Sequence, residues 1–416
     1  MGKRELELYV HIPFCVRKCA YCDFLSFPSE ECERASYVDA LVTEIKGQKD
    51  NFKDYLVSTV FLGGGTPSLL REEDTARIFY SLRENFDISG SAEITMEVNP
   101  GTVTAKKAAE WRACGVNRLS IGIQSTDDDE LKMLGRIHTF QEFLDTWKTV
   151  REEGFDNINI DLISAIPGQT LMSWEKTLRT AAGLEPEHIS SYSLIIEEGT
   201  PFYKLYGEAE RACGKAGGDS LRSPALPLPD EDTERGIYKA TADILEEYGY
   251  HRYEISNYAK EGYECRHNLG YWERKEYLGL GLGASSLINE QRFHNTEDME
   301  RYLKLFGTDS GKEAGKFFTV KDREMTLSPN EEIYEDIEKL SFCEQIEEFM
   351  FLGLRKMKGV SRTEFQKRFG RTLEDVYAGR IMKLAGQGLV EKAGDDLRLT
   401  ERGIDVSNYV FAEFLL

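Results

Sequence analysis

The sequence predicts an α/β protein: a partial (β/α)6 barrel of TIM type, followed by a C-terminal helical, winged-helix-like unit. Three observations carry this. Short β-like runs alternate with amphipathic stretches through the first half of the chain, the signature of parallel β/α architecture. Within the runs, apolar and polar residues alternate, so each strand has one face for helices and one polar face. Near the C-terminus the local charge changes sign and the pattern becomes helix, helix, hairpin.

The predicted strands are residues 5–12, 57–62, 93–98, 118–124, 157–163 and 189–196; the predicted helices between them are 33–48, 73–84, 105–113, 141–153 and 173–182. Six units are too few for a complete eight-fold barrel, which leaves a partial barrel or an open sheet. Leu6, Leu8 and Val10 oppose Glu7, Tyr9 and His11. Ile94, Met96 and Val98 oppose Thr95, Glu97 and Asn99. Leu119, Ile121 and Ile123 oppose Ser120, Gly122 and Gln124, and Ile158, Ile160 and Leu162 oppose Asn159 and Asp161. A doubly wound sheet is apolar on both faces, and a closed barrel fills its interior with aliphatic side chains. Buried polar groups need partners. A curved sheet whose concave polar face holds a polar ligand meets that need; a sheet with one face in water is the alternative.

Residues 206–229 are rich in Gly, Ser and Pro and read as a surface loop. A helix is expected over 230–248, then a Tyr- and Gly-rich stretch over 253–286. The expected division is a barrel core at 1–205, a barrel extension and linker region at 206–320, and a C-terminal domain at 321–416. Residues 321–350 carry three basic and ten acidic side chains, whereas 355–402 carry twelve basic and seven acidic. Ser361 and Glu364 have capping-box spacing. A second helix is expected over 373–385, and Gly394-Asp395 lies between two short β-like runs as a hairpin turn.

The 416 residues include 52 Lys and Arg against 73 Asp and Glu, a formal charge of −21. That balance argues against a protein that wraps nucleic acid, so the winged-helix-like unit is read as contacting protein and no nucleic-acid partner is expected. No apolar run approaches the ~20 residues needed to span a bilayer. The first residues alternate charge and apolarity without a signal-peptide core. The expected location is the cytoplasm, where the eight cysteines would not form a disulfide framework.

Three cysteines are clustered. Cys15-Val-Arg-Lys-Cys19-Ala-Tyr-Cys22 directly follows the first strand. Three thiolates in one loop can grip three irons of a cubane cluster and leave the fourth iron open. Arg17 and Lys18 would favour the thiolates. The alternative is a zinc site, with His11 or Cys32 as fourth ligand. The second motif, Gly63-Gly64-Gly65-Thr66-Pro67-Ser68, follows the second strand. Its glycines would let backbone amides approach a ligand, although no Lys follows as in a nucleotide P-loop; a tight strand-to-helix turn is the other reading. Both motifs lie at C-terminal ends of parallel strands, where α/β folds bind ligands. Gly279-Leu-Gly281-Leu-Gly283-Ala284 lacks the strand–turn–helix context of a dinucleotide loop and reads as a packed glycine turn. His251 and His294 read as structural.

Together these motifs resemble the radical S-adenosylmethionine superfamily. Within it the chain is similar to the branch of oxygen-independent coproporphyrinogen oxidases and heme chaperones. That resemblance extends through Tyr9-Val-His11-Ile-Pro-Phe-Cys15, Glu97-Val-Asn99-Pro100, Ser120-Ile-Gly-Ile-Gln124-Ser125, Leu134-Gly135-Arg136, Asp161-Leu-Ile, Ile166-Pro-Gly-Gln169-Thr170 and His267-Asn268-Leu-Gly-Tyr271-Trp272. It implies a [4Fe-4S] cluster on Cys15, Cys19 and Cys22, with S-adenosylmethionine contacted by Tyr9, Gly64, Gly65, Thr66, Glu97, Gln124, Arg136 and Asp161. The oxidases carry a fourth cysteine two residues past the third, where this chain has Phe24. The resemblance therefore implies a chaperone that carries heme as cargo, and leaves oxidative decarboxylation of coproporphyrinogen III as the alternative. The implied partners are recipient hemoproteins such as respiratory cytochromes, an electron donor for the cluster, and a peripheral membrane association made through a partner. His267 is the candidate axial ligand to heme iron; a buried, hydrogen-bonded imidazole is the other reading.

Overall fold

The structure, a computed structural model, describes residues 2–207, 226–307, 318–321, 324–327 and 333–416. The six expected strands form: β1 (Arg4–Ile12), β2 (Tyr55–Gly64), β3 (Ile88–Val98), β4 (Arg118–Gln124), β5 (Ile158–Ser164) and β6 (His188–Ser193). They pair in sequence order and in parallel. Parallel neighbours need crossovers, supplied here by α1 (Glu31–Gly47), α2 (Glu72–Asn85), α3 (Ala105–Ala113), α4 (Asp128–Met133), α5 (Phe140–Glu152) and α6 (Leu171–Ala182). The six expected β/α repeats are present. The short helix α4, opened by the Asp127 side chain accepting from the amides of Asp129 and Glu130, was not expected.

Six further strands extend the sheet to twelve. Past β6 lie β8 (Asn257–Ala259) and then β7 (His251–Arg252), both antiparallel to their neighbours. Beside β1, β9 (Tyr277–Leu280) runs parallel, followed by antiparallel β10 (Ser285–Ile288) and β11 (Gln291–Asn295). β12 (Phe318–Lys321) and β13 (Glu324–Leu327) form a separate hairpin. β14 (Tyr334–Lys339) pairs with β11 and ends the sheet.

The apolar strand face packs on the helices as expected. Leu8, Val10, Met96, Leu119, Ile121 and Ile160 are buried with Tyr37, Leu82, Trp111, Phe143 and Trp174 in one core that runs from Leu6 to Tyr334. Each such side chain contributes about 1.5–3 kcal/mol by leaving water. A second core runs from Ile346 to Phe414. It joins the helices Phe342–Gly353, Arg362–Phe369 and Leu373–Gly386 to the small sheet of β15 (Val360–Ser361), β16 (Val390–Ala393) and β17 (Asp396–Leu399). Helix, helix and hairpin therefore form as the sequence predicts.

One local detail differs. Ser361 does cap its helix, accepting from the Glu364 amide at 3.0 Å, but its hydroxyl donates to Asp395 at 2.6 Å. Asp395 also accepts from the Thr363 amide at 3.2 Å and hydroxyl at 2.8 Å. The hairpin turn, rather than Glu364, completes this cap. Most of the expected 206–229 loop lies outside the described residues. Among the described residues no helix is long and apolar enough to cross a membrane.

Candidate functional site

The cysteine loop leaves the C-terminal end of β1 and is closed at its base. The Cys15 amide donates to the Phe27 carbonyl at 3.1 Å, and the Phe27 amide to the Pro13 carbonyl at 3.0 Å. Phe14 is buried, edge-on to both Phe27 and Tyr37. The segment after α4 holds the loop's far side: the Ala20 amide donates to the Leu134 carbonyl at 3.0 Å, and Arg17 Nη2 to the Gly135 carbonyl at 2.8 Å. Gly135 sits at φ +76, with a hypothetical Cβ only 3.1 Å from the Ala20 amide nitrogen. The Leu134-Gly135-Arg136 run thus brings its backbone onto the cysteine loop.

Cys15, Cys19 and Cys22 are partly exposed free thiols. Thr66 Oγ1 donates to Cys15 Sγ at 3.5 Å, and Arg136 Nη1 donates to Cys19 Sγ at 3.7 Å. Burial pushes the Cys22 thiol up. Arg17 holds the Gly135 carbonyl and the Lys18 charge favours the Cys22 thiolate, while the cation hydrogen bonded to a loop sulfur is Arg136, 117 residues from Cys19. The zinc alternative gains no fourth ligand. His11 has both ring nitrogens engaged, Nε2 with the Leu25 carbonyl at 2.9 Å and Nδ1 with the Tyr9 hydroxyl at 2.9 Å. Cys32 is exposed on α1. Among the described residues no three His, Cys, Asp or Glu side chains converge on one ion. A cubane does not require that, because its ligands hold separate irons. The donor set fits a cubane: three free thiols on one anchored loop, two of them receiving hydrogen bonds. Arg136 Nε is also buried beside them without a partner.

The glycine run behaves differently from the expectation. Gly64, at φ +113, would place a Cβ 2.5 Å from the His11 ring, and Gly65 would place one 2.6 Å from the Phe14 carbonyl oxygen. The Gly64 amide donates to Glu97 Oε2 at 2.9 Å and the Gly65 amide to the Ile12 carbonyl at 2.8 Å. The close approach is to the base of the cysteine loop, and both amides are used within the protein.

Around these glycines the polar strand face converges. Burial, and then the Asp161 carboxylate, push Glu97 up to about 8. Burial also raises Asp161, against the hydrogen bonds it accepts from Asn159 Nδ2 at 2.7 Å and Ser120 Oγ at 3.0 Å. Gln124, at φ +69, ends β4 with its amide over Gly122, where a Cβ would lie 2.8 Å from Nε2. Arg136 Nη2 donates to Asn99 Oδ1 at 3.0 Å and to the Gly122 carbonyl at 2.6 Å, and Asn99 Nδ2 donates to Thr66 Oγ1 at 2.8 Å. A cleft lined by Cys19, Thr66, Asn99 and Arg136 opens here. Asn99 and Asn159 share this polar face in the sequence pattern, and the fold gives them roles that the pattern does not indicate. Asn99 joins Thr66 to Arg136. Asn159 joins Asp161 to His188, whose Nδ1 lies 2.6 Å from Asn159 Oδ1.

His267 is elsewhere. The helix Arg266–Trp272 plugs the interior below the cleft. His267 is 1% exposed, stacked on Phe61 at 5.2 Å between ring centroids. Its Nδ1 is hydrogen bonded to Thr59 Oγ1 at 2.7 Å and its Nε2 to the Tyr271 hydroxyl at 3.1 Å. Burial, then the Arg118 charge, lower it to about 3. Neither nitrogen is offered to heme iron here. His251 and His294 pair with Glu264 and Asp336 near the surface, and Gly279 and Gly281 are packed against Ala284, Ser285 and His11, as expected of structural positions.

Comparison with known proteins follows the same division. The radical SAM superfamily profile matches residues 9–181, and the HemN C-terminal domain profile matches residues 340–406. The chain is 35% identical over 414 residues to the heme chaperone HemW of Bacillus subtilis (strain 168), covering 98% of each chain. It is 34% identical to the heme chaperone HemW of Escherichia coli (strain K12), covering 99% of this chain and 98% of that one. The chain belongs to the HemW family of radical SAM proteins. Coproporphyrinogen III oxidase (HemN) from Escherichia coli has the same fold: TM-score 0.79 at 23% identity, covering 99% of this chain and 90% of that chain. In this HemW-family chain the first profile falls on the β/α repeats and the second on the C-terminal core. Phe24, which stands where the oxidases' fourth cysteine was expected, is 66% exposed.

Proposed function

We propose that the chain is a heme chaperone that binds heme and passes it to recipient hemoproteins, with respiratory cytochromes as the expected class. The observation that carries this reading is the end-to-end similarity to heme chaperones, 35% identity over 98% of both chains for the Bacillus subtilis relative. On this reading Cys15, Cys19 and Cys22 hold a [4Fe-4S] cluster that takes its electron from a separate donor. S-adenosylmethionine lies against Tyr9, Gly64, Gly65, Thr66, Glu97, Gln124, Arg136 and Asp161. A peripheral association with a membrane would be made through a partner. When bound, the reduced cluster supplies the electron that cleaves the sulfonium of S-adenosylmethionine.

The chain's own residues have distinct parts in this. Thr66 and Arg136 direct donors at Cys15 and Cys19, which stabilises the thiolate form. Glu97, raised to about 8, holds a proton at neutral pH and gives it up when a cationic ligand settles nearby. Asp161 is held in place by Ser120 and Asn159. Gly64 and Gly65 let His11 and Phe14 close on the loop.

The test uses anaerobically reconstituted protein. Heme is added, free heme is removed by gel filtration, and retained heme is read by absorbance; coproporphyrinogen III is supplied in parallel with S-adenosylmethionine and reductant. The expected result is retained heme and no porphyrinogen decarboxylation. Turnover of coproporphyrinogen III, or no retained heme, would overturn the reading.

A further inference from the structure

A second site lies at the other end of the sheet from the cysteines. Arg4 opens β1, whereas the cysteine loop follows its end. There, at the seam with the C-terminal unit, a cavity of about 380 Å³ is walled by Arg4, Arg274, Glu276, Asn289, Glu290 and Arg368. Distant segments converge on it. Arg274 follows the plug helix Arg266–Trp272, Asn289 and Glu290 form the β10–β11 turn, and Arg368 is in the last turn of Arg362–Phe369. Arg274, Asn289 and Glu290 all take positive φ, at 53°, 51° and 59°, a conformation that non-glycine residues hold only when their surroundings enforce it.

The charges here do not cancel. Arg4 Nη2 donates to Glu276 at 2.5 Å and to Asn289 Oδ1 at 2.8 Å. Glu290 accepts from Arg274 Nη2 at 2.7 Å and Arg368 Nη2 at 3.2 Å. Glu348 accepts from Arg274 Nε at 2.8 Å and Arg292 Nη2 at 2.7 Å. Four guanidiniums thus share three carboxylates, in a chain whose formal charge is −21. Burial also pushes Glu276 up. Donors are left over: Arg274 Nη1 is buried without a partner, and the hydrogen bonds of Arg4 and Arg368 to described side chains all run through Nη2. A guanidinium has five N–H donors and no acceptor, so what the cavity lacks is acceptor oxygens. Guanidinium forks match oxyanions.

We propose that this cavity binds a small oxyanion of two or more negative charges, of the phosphate or polycarboxylate class, held by Arg4, Arg274 and Arg368. Bound there, it ties the first strand of the barrel to the C-terminal unit. Neither the cluster nor S-adenosylmethionine is involved. The test is calorimetric titration of the full-length protein with pyrophosphate and, separately, with citrate, against sodium chloride at equal ionic strength. At least one binds saturably to the wild type. Its affinity falls at least tenfold in Arg368→Gln and in Arg4→Gln, both partly exposed positions, while iron–sulfur absorbance after reconstitution is unchanged. Binding of pyrophosphate alone assigns the phosphate class, and of citrate alone the polycarboxylate class. No saturable binding of either anion, or undiminished affinity in either folded variant, overturns the proposal.

Discussion

The polar face of the barrel strands divides into two regions that the same alternation builds and that end differently. In the upper region, at the C-terminal strand ends, Glu97, Gln124, Arg136 and Asp161 are partly exposed, Arg136 lines a cleft with Cys19, Thr66 and Asn99, and Arg136 Nε has no partner. In the lower region, Thr59, Glu93, His188 and His267 are buried and hydrogen bonded to one another's neighbours. Glu93 accepts from the amides of Arg266 and His267 at 3.1 and 3.2 Å and so pins the plug helix. The lower region pairs Thr59, Glu93, His188 and His267 internally and leaves Glu7 without hydrogen-bond partners in a closed interior, whereas the upper one leaves groups beside an open cleft. A polar strand face is therefore a ligand signal only at the strand end that stays open.

The largest effect expected of this difference is at the cysteines. Cys19→Ala should abolish the iron–sulfur absorbance of reconstituted protein, and His267→Ala should leave it intact; a full cluster in the first variant would contradict the ligand assignment. In the lower region, His267→Ala removes a buried ring and two hydrogen bonds. It should cost about 2–4 kcal/mol in urea unfolding while heme retention persists. Loss of heme retention in a folded His267→Ala protein would move the cargo site into the plug. Gly270→Ala tests the packing itself. Its Cβ would fall 1.9 Å from Glu7 Oε1, so a destabilisation of about 1–3 kcal/mol is expected from overpacking, and a neutral result would mean the plug is loose.

The remaining expected effect is a pH dependence. Glu7 is fully buried with neither carboxylate oxygen hydrogen bonded and His267 Nδ1 3.8 Å from Oε2, and burial raises it to about 9. The native state then keeps a proton that the unfolded chain loses from about 4.5 upward, so stability falls as pH rises from about 4.5 to 9. Glu7→Gln should flatten that fall, with a gain of about 4 kcal/mol at pH 8.5 relative to pH 5. An unchanged slope would show that Glu7 does not hold the proton.

Much of this was legible in the sequence, for identifiable reasons. Of the six parallel strands, β1, β3, β4 and β5 carry period-2 alternation over several residues, and β4 and α3 begin and end where the pattern does. The cysteine loop was legible because its chemistry is local. The flanking strands β7 to β11 are two to five residues long, too short for a period to register. Contacts distant in sequence were not legible either. Arg17 is adjacent to the cysteines in sequence, yet Arg136 is the one that reaches a sulfur. The glycine run suggests amides facing a ligand, but that the His11 ring approaches Gly64 and the Phe14 backbone Gly65 depends on the fold of residues 11–15. His267 shows the same limit: its spacing resembles a functional motif, and only the position of its helix, inside the barrel, reveals a packed imidazole.

The most direct test of the central claim is heme transfer. Heme-loaded, cluster-containing protein is mixed with an apo-hemoprotein, and the Soret band is followed as heme changes hands. Movement of heme to the recipient faster than its release into buffer, with no porphyrinogen turnover in the same preparation, is the predicted result. Transfer no faster than passive release would contradict a chaperone.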